Sequence, residues 1–263
     1  MSSQTSQISG ATHTTSVNGI EMYYETYGQD EPLVLLHGFL GSGADWGQVF
    51  KGAPDGYRSV IPDLRGHGRS TNPTGAFTMR RSAEDVLALL DALNIQRCKG
   101  IGVSAGAQTL LQMAAMKPDR VEAMVLVSGA HYFPEQARAI MRTVSPFNQS
   151  EEEWHVMRQR HKQGDDQIRA LWKQANTFKD SYEDMTFTPP QLATIKARTL
   201  IVQGDHDPFY PVSLAVELFN AIPRSYLWIV PNGGHGPIFG ERSAAFVETC
   251  LAFLRGAWEP GKS

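Results

Sequence analysis

Cysteine is nearly absent from this chain. Its 263 residues include two, Cys98 and Cys250, and they form no C-x-x-C pair. A disulfide framework is therefore excluded, and nothing supports a zinc site built on cysteines. Long hydrophobic runs are missing as well. The longest aliphatic stretches, residues 33–36 and 124–127, fall far short of the roughly 20 residues that cross a bilayer. The first sixteen residues, MSSQTSQISGATHTTS, lack the apolar core of a secretory leader. Positive charge is not in excess: 24 Lys+Arg face 27 Asp+Glu, a net of −3. A nucleic-acid binder would need a positive field to attract phosphates. These absences lead us to expect a soluble, cytoplasmic protein with neither nucleic acid nor membrane as a partner.

What is present fits a globular enzyme-sized domain. Hydrophobic residues make up 41% and charged residues 19%, which excludes a disordered chain. A globule of this length buries roughly 70–75% of its unfolded surface, so it needs no disulfide or metal to hold a core. Val17-Asn18-Gly19 separates two β-rich runs, 12–16 and 20–27, a strong hairpin signal. Short aliphatic runs then recur at 33–36, 57–61, 98–103, 123–128, 199–203 and 226–230. Such runs suit strands of a parallel sheet buried on both faces. Helical stripes alternate with them: Val86, Leu87, Leu89, Leu90 and Leu93; Leu110, Leu111, Ala114 and Met116; and, after Ser243 as N-cap, Phe246, Val247, Cys250, Leu251 and Leu254. The alternation predicts a doubly wound α/β fold.

One stretch breaks this rhythm. Between residues 131 and 191 no strand-like run occurs, but three helical stripes do. They are Ala137, Ile140, Met141 and Val144; Trp154, Met157 and His161; and Ile168, Leu171, Trp172 and Ala175. A structureless connection of this length is improbable. The expected layout is a core of residues 1–131 and 191–263, with a loose tail over 1–11, and a helical insertion over 132–190.

Gly102-Val103-Ser104-Ala105-Gly106 matches G-x-S-x-G and stands between a predicted strand and a predicted helix. That is the setting of a nucleophile elbow, in which small residues two before and two after the serine let a strained turn form. The same stretch also fits the dinucleotide fingerprint G-x-G-x-x-A through Gly100, Gly102 and Ala105. That alternative expects an acid at the end of the next strand, where Val127-Ser128-Gly129-Ala130 offers none. A serine nucleophile needs a base, and the base an orienting acid. Of eight histidines, His235 follows a strand and is flanked by Gly234 and Gly236, which leave its ring room to reach a neighbour. His67 sits in a Gly-rich loop and is expected to hold backbone. Asp205 and Asp207 both follow the strand at 199–203, in the order Ser…Asp…His.

At these residues the chain resembles the α/β-hydrolase superfamily, in its esterase-like branch with a helical cap. The resemblance runs from about residue 20 to 254. It rests on His37-Gly38-Phe39-Leu40-Gly41-Ser42, Asp63-Leu64-Arg65-Gly66-His67-Gly68-Arg69-Ser70, the G-x-S-x-G turn, Gly204-Asp205-His206-Asp207 and Gly233-Gly234-His235, in that order. Val103 and Ala107 depart from the commoner pattern of an aromatic or His and a second glycine. The resemblance implies an α/β-hydrolase fold: a mostly parallel eight-stranded sheet, helices on both faces and a helical cap. It further implies Ser104, Asp207 and His235 as catalytic triad, the backbone N–H groups of Phe39 and Ala105 as oxyanion hole, and no metal or organic cofactor. A serine rather than an aspartate nucleophile argues against epoxide-hydrolase and haloalkane-dehalogenase chemistry.

Residues expected to line a pocket between the strand ends and the insertion are Leu40, Trp46, His131, Phe133, Phe209 and Ile238, with Trp154 and Trp172 from the cap. Arg142 or Arg158 is the candidate there for gripping a carboxylate. The expected substrate is a small, fairly apolar carboxylic ester. Lactone opening and C–C bond hydrolysis use the same triad and stay open, as does a ligand sensor that keeps the fold without turnover.

Overall fold

The computed structural model describes residues 10–258. The tail expected over 1–11 thus lies outside the described residues as far as Ser9, and Ala11 already opens a strand. In chain order the elements are β1 (Ala11–Val17), β2 (Ile20–Tyr27), β3 (Glu31–Leu36), a 3-10 turn (Gly43–Gln48), β4 (Tyr57–Pro62), α1 (Met79–Ala92), β5 (Cys98–Val103), α2 (Ala105–Met116) and β6 (Val121–Val127). Then come α3 (Glu135–Thr143), α4 (Glu151–Arg160), α5 (Asp165–Thr177), α6 (Pro189–Leu192), β7 (Arg198–Gly204), α7 (Val212–Ala221), β8 (Ser225–Val230) and α8 (Ser243–Leu254).

The eight strands form one sheet in the order β1-β2-β4-β3-β5-β6-β7-β8. β2 runs antiparallel to β1 and β4, and every other pairing is parallel. The β1–β2 hairpin closes on Asn18 and Gly19, both at positive φ, as the two-residue turn between twisted strands requires.

Successive side chains of a strand face opposite sides of the sheet, and β3 shows the consequence directly. Val34 and Leu36 face the core that also holds Val86 and Leu90 of α1, Leu110 of α2 and, further along the sheet, Leu214 of α7. Leu33 and Leu35 pack on the other face with Phe246, Cys250 and Phe253 of α8, and with Trp46 of the 3-10 turn. Two-sided burial is why these strands read as unbroken aliphatic runs. Both cysteines are free and buried, and burial pushes each thiol up to about 12.

Between β6 and β7 the chain leaves the sheet and forms α3 to α6. It departs and returns through a short stem: Tyr132 pairs with Thr186 in an isolated bridge, and the Phe187 N–H donates to the His131 carbonyl. Arg138, buried, donates to the carbonyls of Phe133, Phe178, Lys179 and Ser181. Its guanidinium also lies 3.9 Å from the Tyr182 ring centroid. Met157, Ile168, Leu171 and Trp172 make a small core of the insertion's own, against which Phe39, Leu40 and Trp154 pack. No helix among the described residues is long and apolar enough to cross a membrane. No group of His, Cys, Asp or Glu among them could hold a metal ion.

Candidate active site

Ser104 joins β5 to α2 with φ 51° and ψ −114°, a backbone conformation that costs a non-glycine residue about 1–3 kcal/mol. Its neighbours explain how the turn is tolerated. A Cβ on Gly102 would stand 2.4 Å from the backbone of Gly106, and one on Gly106 would stand 2.2 Å from the Leu36 carbonyl oxygen. Both partners are backbone, so neither can yield as a side chain would. The Ser104 N–H donates to the Val127 carbonyl at 2.8 Å, and its own carbonyl accepts from Gln108. The serine is thereby fixed at the N-terminus of α2. The Ala105 N–H, at the first helical position, has no carbonyl within the helix to serve.

His235 and Asp207 meet on the loops after β8 and β7. His235 Nδ1 lies 2.8 Å from Asp207 Oδ2. The other carboxylate oxygen accepts the backbone N–H groups of Phe209 and Tyr210, at 2.8 and 3.1 Å, and Gln203 Nε2 donates to Oδ2 at 3.0 Å. Burial works against the charge on Asp207. The His235 hydrogen bond, its charge and the two backbone donors outweigh burial, and the carboxyl sits below the usual range. The loop of His235 is tied to the residue that follows β6, because the Gly236 N–H donates to Ser128 Oγ. Asp205 instead accepts the Gly233 N–H and touches His206, which is mostly exposed.

Ser104 and His235 line one cavity of about 180 Å³, together with Gly38, Phe39, Trp46 and Arg160 among others. The loop carrying Gly38 and Phe39 is braced by three buried imidazoles. His37 Nε2 accepts the Leu64 N–H, so its Nδ1 carries the proton and donates to the Gly38 carbonyl. His67 Nε2 accepts the Leu40 N–H, and its Nδ1 donates to the Arg65 carbonyl. His161 Nδ1 accepts the Gly68 N–H, and its Nε2 donates to the Leu40 carbonyl. Leu40, at φ 66°, is held at both its N–H and its carbonyl by two different rings.

Each imidazole already faces an N–H donor, so a second ring proton would have no acceptor. Burial first, and the neighbouring rings second, hold His67 well below its ordinary value. Burial likewise lowers His37, and lowers His161 to about 4. Since the folded-state values lie below those of the unfolded chain, acid favours the unfolded state. This contribution is complete above about pH 6.5 and declines as pH falls through the window towards 4. His161 alone removes about 2 kcal/mol between pH 7 and pH 5, at about 1.36 kcal/mol per pKa unit. Urea midpoints at the two pH values measure the loss; equal midpoints would contradict neutral, buried rings.

The residues expected to line the pocket separate into groups. Trp46 lines the cavity, and the Phe209 ring lies 4.7 Å from that of His235. Leu40 packs on the insertion's core beside Trp154 and Trp172, whose rings meet edge-to-face at 4.6 Å. Phe133 is buried against Phe178. Ile238 is fully buried in the core on the α8 side of the sheet. His131 Nε2 lies 3.1 Å from Glu217 of α7. Arg142 and Arg158 pair with Glu135 and Asp165 on the surface of the insertion. The residue that sequence reasoning passed over is Arg160, at the end of α4, in an ion pair with Asp45 of the 3-10 turn. The pattern of α4 gives no sign of which loop its last residue meets.

Residues 31–160 match the family model described as alpha/beta hydrolase fold, and residues 178–262 match one described as TAP-like protein. A Caulobacter sp. (strain K31) protein, provisionally named carbamate hydrolase RutD, is 27% identical over 262 residues, covering 89% of this chain and 96% of that protein. The solved structure of Est816, described as an N-acyl homoserine lactone degrading enzyme, is 25% identical with a TM-score of 0.73, covering 92% of this chain and all of that one. A meta-cleavage product hydrolase from Pseudomonas fluorescens IP01 superposes with a TM-score of 0.73 at 21% identity, over 93% of this chain and 98% of that one. At that last identity the likeness speaks to the fold.

Proposed function

The chain belongs to the α/β-hydrolase superfamily, and from that premise we propose that it is a serine hydrolase of small carboxylic esters. The observation that carries the reading is the opening of one cavity onto both Ser104, on its strained turn, and His235, held by Asp207. In this reading Ser104 Oγ attacks the ester carbonyl while His235 Nε2 takes its proton. Asp207 keeps the other ring nitrogen protonated and stabilises the imidazolium. The Phe39 and Ala105 N–H groups stabilise the oxyanion as the carbonyl becomes tetrahedral. Collapse expels the alcohol, which receives the proton from His235, and leaves an acyl group on Ser104. Water, deprotonated by the same imidazole, then releases the acid. No step calls for a metal or an organic cofactor.

A cavity of about 180 Å³ is small beside the roughly 300–1,000 Å³ of drug-sized ligand sites, which favours short acyl chains. Two measurements test the reading together. A fluorophosphonate probe should label the Ser104 peptide, and kcat/KM on p-nitrophenyl esters should fall from the acetate–butanoate range towards the octanoate. Labelling elsewhere, or a rise through the octanoate, would count against it. Lactone opening on the same groups is the second reading, favoured by the name of the lactone-degrading Est816, and C–C bond hydrolysis would use the same triad. Enol-lactones and vinylogous diketones assayed beside the esters distinguish the two.

A further inference from the structure

The catalytic cavity contains hydrogen-bond donors that the proposed ester chemistry does not use. Arg160 lines it with Ser104 and His235. Its Nε lies 3.2 Å from Asp45 Oδ1, while Asp45 Oδ2 accepts the Ser42 N–H. Among the described residues, no acceptor takes a hydrogen from the Nη groups of Arg160. Trp46 lines both this cavity and a second one beside Gly43 and Phe50, is 2% exposed, and its Nε1–H has no hydrogen-bond partner. A guanidinium offers five donors in a fixed fork and an indole offers one. The Trp46 Nε1–H is a buried donor without an acceptor, which is costly, and the Arg160 side chain is 35% exposed, so an oxygen brought by a ligand would satisfy the indole and replace water on the Nη groups.

Charge decides which oxygen. Asp45 already neutralises Arg160, so the pair presents donors without a net positive charge. A substrate carboxylate would place a second anion close to Asp45 in a small cavity, where like charges repel strongly. An ether, hydroxyl or carbonyl oxygen accepts from the same donors without that repulsion.

We propose that the cavity selects substrates bearing an uncharged oxygen acceptor beside the reacting ester, read by Arg160 and Trp46, over alkyl and carboxylate-bearing analogues. The proposal rests on the ester-cleaving reading of the site. It narrows the expectation of a merely apolar ester, and it assigns recognition to Arg160 in place of Arg142 or Arg158.

Two isosteric pairs provide the test: phenyl methoxyacetate against phenyl butanoate, and 2-methoxyethyl acetate against butyl acetate. Binding is measured by NMR titration of Ser104→Ala protein, so the comparison needs no turnover. In at least one pair, adding Arg160→Met should lower the methoxy-to-alkyl affinity ratio at least tenfold, and Trp46→Phe at least threefold. Arg160→Lys, which keeps a cation beside Asp45 but not the planar fork, should also lower the ratio, separating recognition from the tie between α4 and the 3-10 turn. Ratios unmoved in both pairs would overturn the proposal, as would tighter binding of monophenyl malonate than of either phenyl ester. Turnover by the unmodified protein reports separately. If the binding ratios shift as expected but no ester is cleaved, recognition stands and the ester-cleaving reading fails.

Discussion

Replacing Ser104 with alanine is expected to lower kcat by about 10⁴–10⁶-fold, the loss that follows when a triad nucleophile is removed and only binding and oxyanion contacts remain. The fold should not change, because Ser104 contributes backbone hydrogen bonds to Val127 and Gln108 that alanine keeps. A stopped assay with a short ester and a melting curve measured side by side provide the check. Loss of activity within tenfold of the unmodified protein would remove Ser104 from the role of nucleophile. The same position carries a second, opposite expectation for stability. At φ 51° and ψ −114° a side chain is strained, and glycine is not. Ser104→Gly should therefore be more stable than Ser104→Ala by about 1 kcal/mol. This is the strain relieved, of order 1–3 kcal/mol, less the greater chain entropy glycine gives the unfolded state. A urea midpoint lower for the glycine variant would show that the turn is not under strain.

The second large effect is expected far from the reacting atoms. Arg65 and Asp85 are 1% and 0% exposed and form two hydrogen bonds of 2.7 Å. Asn18 completes the group, donating to Asp85 and accepting from Arg65. The cluster thereby joins the hairpin turn, the loop after β4 and α1. Asp85→Ala leaves a buried guanidinium without its counter-ion and should destabilise the protein by about 3–5 kcal/mol. For a chain of this size that lowers the melting temperature by on the order of 10 °C. Replacing both partners, as Arg65→Met with Asp85→Leu, should recover much of the loss, since no buried charge then lacks compensation. Equal stability of the single and double variants would contradict this account. The effect reaches the site because the loop held by Arg65 also carries His67, which fixes Leu40 beside Phe39.

The sheet was legible because burial on two sides leaves a mark that needs no tertiary knowledge. Residues 33–36 can be read as a central strand from their composition, and the alternation of Leu33 and Leu35 with Val34 and Leu36 between two cores is its structural counterpart. Ser104 was legible for a similar reason: Gly102 and Gly106 are dictated by backbone that passes within contact distance. The pocket was far less so. Trp154, Trp172, Phe133 and Ile238 announce through residue type that they are buried, but not what buries them. In the structure Trp172, Phe133 and Ile238 meet other core residues, while Trp154 is half-buried beneath the guanidinium groups of Arg158 and Arg169. Arg160 and Asp45 are 115 positions apart in sequence and ordinary in local pattern. Only the docking of α4 onto the 3-10 turn brings them together. His161 reads as one more position on a helical stripe, yet it spans Leu40 and Gly68 on two separate loops.

The stem at Tyr132 and Thr186 has a consequence for how such a protein diversifies. The excursion between β6 and β7 begins and ends at neighbouring points, so the register of the strands does not depend on its length, although His161 ties it to the loops of Leu40 and Gly68. Lengthening a flexible segment between fixed ends costs only about 0.6 kcal/mol per doubling. An ancestor could therefore enlarge, shorten or exchange this segment while the strands that position Ser104, Asp207 and His235 kept their register. The length of the insertion and the register of the strands are, in that sense, separately heritable.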